Sequence, residues 1–466
     1  MKRLLSLIFA ALTLVAVSHA QEWSSNFAEY LAVDAPVVAI ENVTVIDGTG
    51  AQAVAGQTVV IRDGVIESVG MGMTPEGAHV IDGSGKTLIP GMIGLHNHTF
   101  YTTSQRTVQL DFSAPRLYLA SGVTTIRTTG SYAPYSELSL KQSVMDRQSL
   151  GPRMLITGPY MVGAGGGGSD AVVATPEAAR RVVKYWSEEG VDWFKVYNTI
   201  ASAELAAVVD EAHKHGRKVT GHLCSISHRE AVAIGIDNVE HGIFANSDYS
   251  TTKVKDECPS DYRRAMIDLD MSGEAVQTTF REMIAAGVGM TSTLAIYEHV
   301  VPNRPPIEQR VLDAMSPDVQ KEYLQTRTQV ADRNSQFWKD LWVKALEYEK
   351  AFVEAGGLLA SGVDPTGYGG ALPGYGDQRN FELLREAGFN TGEVVQIMSL
   401  NGAKILDIDH ETGSIEVGKH ADLVLIDGDL ASDDALIRNV EIVFRDGVGF
   451  DSAAIIESVE GQVGVR

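Results

Sequence analysis

Two histidines, separated by a single asparagine, end the stretch "LIPGMIGLHNHTF" at residues 88–100. Side chains alternate along a strand, so His96 and His98 would share a face and could converge on one cation. The motif is weak when it stands alone. The same spacing recurs as His213-Lys214-His215 at the end of the helical stretch "ASAELAAVVDEAHKHG". Residues two apart on a helix diverge, and a cation there merely suits the helix terminus. His19, His79, His228, His299, His410 and His420 read as ordinary histidines of the leader, loops or a small domain. Of these, His299 stands out because it follows a strand.

Coincidence gives the first pair its weight. Lys195 in "GVDWFKVYN", His222 in "VTGHL", His241 in "NVEHG" and Asp364 in "SGVDP" each lie at or near the end of an apolar, β-rich run. Four imidazoles, a carboxylate and a lysine at five strand ends have no packing rationale, since buried ionisable groups cost free energy unless they are paired or coordinated. Together they point to a catalytic metal site. Lys195 leaves two readings open. Burial would lower its pKa until a neutral amine could take up carbon dioxide as a bridging carbamate, or the chain could reach the rim and pair with an acid. Tyr197 shares its face and could offer a hydroxyl to a substrate.

Positioning such groups requires a scaffold of parallel strands. A helical segment ending in glycine is followed by a β-rich run in "LASGVTTIRTT", "SEEGVDWFKVY", "HKHGRKVTGHL", "AIGIDNVEHG", "AAGVGMTSTLAIY" and "EAGGLLASGVD". With "GMIGLH" and "RMLITGPYM" the count reaches eight, which predicts an α/β fold built on a (β/α)8 TIM-like barrel over 91–409. An open doubly wound sheet is the rival. Short alternating strands over 37–90 and again over 410–450 predict a small composite β domain, a sandwich made from both chain ends. The glycine-rich run "GAGGGGSD" and the long helical segment from Pro305 to Glu354 both follow strand ends, where lids and specificity elements lie.

The totals narrow the partners. A formal charge of −22 repels phosphate backbones, so nucleic acid is excluded as a natural partner. Residues 1–20 combine Lys2 and Arg3 with an apolar run and small residues at Ser18-His19-Ala20, the pattern of a cleaved export signal. A periplasmic or extracellular location follows, with no membrane association after cleavage. Cys224 and Cys258 read equally well as one disulfide or as two thiols. Oligomeric state is open, a homo-oligomer included.

"GMIGLHNH", "DWFKVYN", "VTGHL", "NVEHG" and "SGVDP", in that order, resemble the amidohydrolase superfamily of metal-dependent hydrolases, especially its imidazolonepropionase-like and prolidase-like branch. The resemblance runs from residue 37 to about residue 450. It implies two divalent cations, with Zn2+ favoured by the donors. His96 and His98 would bind the first ion, and His222 and His241 the second. Lys195 would bridge both as a carboxylated lysine. Asp364 would contact the first ion and handle protons. The implied reaction is hydrolysis of a small-molecule amide, in a dipeptide or an N-acyl amino acid. Lactones, cyclic amides or esters are alternatives on the same site, and a non-catalytic binding protein on the same scaffold is the contrasting class.

Overall fold

A computed structural model describes residues 23, 25–166, 171–366 and 370–465. The segment read as an export signal and the last four residues of the glycine-rich run lie outside the described residues. Eight strands coincide with the eight runs read above. They are β1 (Met92–Asn97), β2 (Val123–Thr128), β3 (Arg153–Leu155), β4 (Trp193–Val196), β5 (Lys218–Gly221), β6 (Asn238–Glu240), β7 (Gly289–Ser292) and β8 (Leu359–Ser361). All pair in parallel, in the order β3-β2-β1-β8-β7-β6-β5-β4. β8 lies against β1, with Ser361 opposite Gly94. Between β3 and β4 the contact is an isolated bridge, Thr157 with Trp193, and the Gly158 N–H donates to the Trp193 carbonyl at 3.0 Å.

Local sequence explains these elements. β1, β2 and β4 are buried at every position, which is why they read as near-continuous apolar runs and not as alternating ones. The helix Pro176–Glu189 starts with Thr175 capping the Ala178 N–H and stops at Gly190, whose φ of 98° turns the chain into β4. The segment from Pro305 to Glu354 becomes three helices, Gln309–Ala314, Pro317–Arg333 and Gln336–Glu354. The middle one docks on a hairpin, Phe100–Thr102 with Thr107–Gln109, that follows β1. Glu322 accepts from the Ser104 N–H at 2.6 Å, and Arg106 pairs with Asp318 at 2.8 Å.

The two chain ends share one mixed sheet of nine strands. Its joint is Lys86–Pro90 antiparallel to Leu423–Asp427, and Val37–Val45 is shared between His79–Asp82 at its first half and Lys86–Pro90 at its second. The sheet reaches beyond the expected bounds, taking in Leu31–Val33 at one end and Asp451 at the other. Val38, Ile40, Val59, Ile61, Leu88, Leu423, Leu425 and Phe444 form its core, separate from that of the parallel strands. At about 1.5–3 kcal/mol per buried aliphatic or phenyl side chain, that core holds both ends of the chain together. Arg153, the first residue of β3, ties the two layers by pairing with Asp422 at 2.8 Å and Asp446 at 2.7 Å.

Candidate metal centre

The sequence-selected donors meet at the C-terminal ends of β1, β4, β5, β6 and β8. His96 and His98 leave β1 fully buried, with ring centroids 5.3 Å apart. Asp364, three residues past β8, adopts φ 52°, and its N–H donates to the His96 carbonyl at 2.7 Å. A Cβ at Gly362 would stand 2.3 Å from the His96 nitrogen, so glycine is what allows the two strand ends to approach. Lys195 is buried within β4, and its Nζ lies 3.1 Å from His96 Nε2. His222 follows β5 and His241 follows β6, with their rings 4.4 Å apart. Tyr197 stands beside His222 at 4.7 Å between ring centroids.

Lone pairs converge here. Donor atoms of His96, His241 and Asp364 all lie within 4.8 Å of one another, and His98 Nε2 is 3.1 Å from Asp364 Oδ1. Burial pushes the His98 imidazolium down to about 4 and that of His222 down to about 3. His96 and His241 are lowered too, by burial first and then by Lys195 beside His96 and by His222 beside His241. Lys195 falls to about 8 because burial outweighs the attraction of Asp364 and Glu240. For Asp364, burial acts upward, but His96, His98 and Lys195 overcome it and hold the carboxyl below its usual range. The result is neutral imidazoles and an ionised carboxylate, the donor set a divalent cation requires. His241 Nδ1 is 2.8 Å from Thr293 Oγ1, while its buried Nε2 has no hydrogen-bond partner among the described residues. Such an orphan costs about 1–3 kcal/mol unless a ligand takes it. The residues therefore fit a metal.

Two partners of this cluster went unread in the sequence. Glu240, wholly buried one residue before His241, takes His96 Nδ1 on Oε2 at 2.8 Å and the Arg127 guanidinium on Oε1. That contact makes Nδ1 the protonated nitrogen of His96 and turns the Nε2 lone pair toward the cluster. Arg127 lies over the Trp193 ring at 4.4 Å. A charge inside each of the apolar runs "TTIRTT" and "NVEHG" was the available signal, because a buried charge needs a partner. The other histidines fall elsewhere. His213 pairs with Asp237 at 2.9 Å, and His215 sits 3.6 Å from Glu211. His228 is no loop residue: it opens the helix His228–Ile234 and is fully buried. His299 borders a separate cavity of about 180 Å3.

Above the cluster opens a cavity of about 370 Å3, with Lys195, His222, His241 and Asp364 among its lining residues. Cys224, two residues past His222, is disulfide-bonded to Cys258, which settles the open choice at these positions. The bond ties the excursion after β6 to the end of β5.

Fold and cluster together define a class. The chain belongs to the Amidohydrolase family, whose profile it matches over residues 87–254 and 375–454. Among solved structures it is similar to a provisionally named prolidase from Bifidobacterium longum, at 26% identity and TM-score 0.67, with 91% of this chain and 98% of that one covered. It is also similar to a Xaa-Pro dipeptidase with bound methionine in its active site, at 21% identity and TM-score 0.68, covering 89% of this chain and all of that one (100%). These neighbours imply a TIM-barrel fold of mixed α/β content. Among curated proteins, a dihydroorotase of Halalkalibacterium halodurans is 22% identical over 207 residues, 44% of this chain. The match spans 45% of that relative's length.

Proposed function

We propose that this protein hydrolyses a C–N amide bond, in a dipeptide or an N-acyl amino acid, using two divalent cations. The observation that carries this reading is the meeting of His96, His98, Lys195, His222, His241 and Asp364 at five strand ends, with Lys195, His222, His241 and Asp364 lining one cavity. His96 and His98 would hold one ion, His222 and His241 the other, with Asp364 on the first. Lys195, whose neutral amine is accessible near neutral pH, would add to carbon dioxide with loss of one proton and bridge both as a carbamate. When bound, the ions, Zn2+ suiting imidazole and carboxylate best, would supply Lewis-acid polarisation and acidify water.

The chain's own groups do the rest. Asp364 accepts a proton from the attacking water and delivers it to the leaving nitrogen, giving a carboxylic acid and an amine. Its lowered pKa keeps it an ionised base at neutral pH. Tyr197 donates to the carbonyl oxygen as that atom gains charge.

The same reading takes the parallel strands as a closed barrel over 91–409, the terminal sheet as a sandwich over 37–90 and 410–450, and residues 1–20 as a signal for export to the periplasm or beyond. The Cys224–Cys258 bond supports export, since such bonds persist in oxidising compartments. No helix among the described residues is long and apolar enough to cross a membrane.

Elemental analysis of purified protein should find about two ions per chain. With zinc and bicarbonate present, dipeptides should turn over ahead of lactones and p-nitrophenyl esters. Turnover of lactones, cyclic amides or esters alone would select the second reading, which the dihydroorotase match favours. Neither metal nor turnover would overturn both.

A further inference from the structure

We infer that the cavity selects amides carrying an aromatic or similarly broad apolar group, held against a continuous belt of rings on one wall; this rests on the amide reading above. The belt is built by successive loops. Phe100 follows β1, Tyr132 follows β2, Tyr160 follows β3 and Tyr197 follows β4. Neighbouring rings touch all the way round. Centroids are 4.7 Å apart for Phe100 and Tyr132, 5.2 Å for Tyr132 and Tyr160, and 5.6 Å for Tyr160 and Tyr197. The last ring meets His222, so the belt runs from the rim down to the donors.

The facing wall is apolar as well. Ile296 and Tyr297, on the helix Leu294–Glu298 after β7, line the same space, and Tyr297 is held flat against Phe244 at 3.7 Å and 10°. The titratable groups nearest the cluster are Lys195, His222, His241 and Asp364, while the rest of the lining is ring faces and edges and aliphatic groups, with the hydroxyls of Thr102 and Thr366 among them. A scissile amide seated on the floor directs its substituents along those walls. An aromatic side chain gains offset or edge contacts there, and a carboxylate side chain laid on the same rings exchanges its water for ring faces and a few hydroxyls. At about 370 Å3 the cavity is near the lower end of ligand pockets, so one broad substituent fills much of it. Tyr132 is 39% exposed at the rim, which makes it the ring that can be removed without opening a core.

The test is a matched series of N-acetyl amino acids and dipeptides in which only the side chain changes, Phe, Ala or Asp. We expect kcat/KM to favour Phe over Ala by about 10-fold or more, with Asp lowest. Tyr132→Ala should bring the Phe:Ala ratio toward one, and Tyr132→Phe should keep it. In parallel, the N-methylphosphonyl derivatives of phenylalanine and alanine, which cannot undergo amide hydrolysis, are titrated calorimetrically into the purified protein. Tighter binding of the phenylalanine compound without turnover of any amide leaves the belt in place and removes the hydrolytic reading. Equal binding, a preference for Asp, or a ratio that Tyr132→Ala does not move overturns the inference, whatever the turnover.

Discussion

His96 and His98 leave a parallel strand with both rings fully buried and Asp364 within 3.5 Å of each, whereas His213 and His215 close the helix Ser202–Lys214 on its outer side. The spacing is identical, and the surroundings differ in every respect that matters to a ligand. On the strand, both rings turn into one low-dielectric space where burial keeps them neutral and Glu240 orients one of them. On the helix, each ring has its own carboxylate near the surface: Asp237 for His213 and Glu211 for His215. A motif is therefore a statement about direction as much as about residue type.

The harshest way to break this comparison is to remove one ring from each pair. His96→Ala should lower turnover by on the order of 10^3-fold or more and strip metal, measured by elemental analysis alongside kcat/KM. His213→Ala that did the same would erase the distinction. Next in size is Glu240→Gln, which leaves the charged Arg127 guanidinium buried without its carboxylate partner. We expect a loss of about 3–5 kcal/mol in denaturant unfolding, with metal affinity down about 10- to 100-fold. A variant as stable and as well loaded as the parent would mean that the His96 orientation does not depend on Glu240.

A smaller effect appears in the pH dependence of chelator-treated protein. The folded pKa values of His98, about 4, and His222, about 3, lie below the ordinary value of 6.5. The unfolded chain therefore takes up protons first. Their contribution is complete above pH 6.5 and is lost as pH falls from there toward 4 and below. Asp377 and Glu137, raised by burial to about 7, act oppositely and favour the fold as pH falls through 7. His98→Gln should accordingly flatten the acid limb of the melting temperature measured across this pH range. Least of all, His213→Ala should keep turnover within about 2-fold and stability within about 0.5 kcal/mol, as an exposed pair allows.

Much of this was legible because the barrel unit is local. A glycine just past a helical stretch announces six of the eight strands, and "GMIGLH" and "RMLITGPYM" supply the other two, so the strands could be counted and the donors assigned to their ends. What escaped was non-local. Arg127 and Glu240 are 113 residues apart, and nothing near either one names the other. The cysteines at 224 and 258 were ambiguous for the same reason, since pairing is a fact about distance in space. Leu31–Val33 was missed because three residues against a partner more than 400 positions away carry no readable period. The aromatic belt escaped as well, for each loop contributes a single ring to it.

The joint between Lys86–Pro90 and Leu423–Asp427 has a consequence for biosynthesis. Strands near the amino terminus leave the ribosome with their edge unsatisfied, and the segment that covers it is translated more than 300 residues later. Translation order thus makes this sheet the last part of the molecule to close, and a nascent chain halted before Leu423 would carry an open edge available to its neighbours.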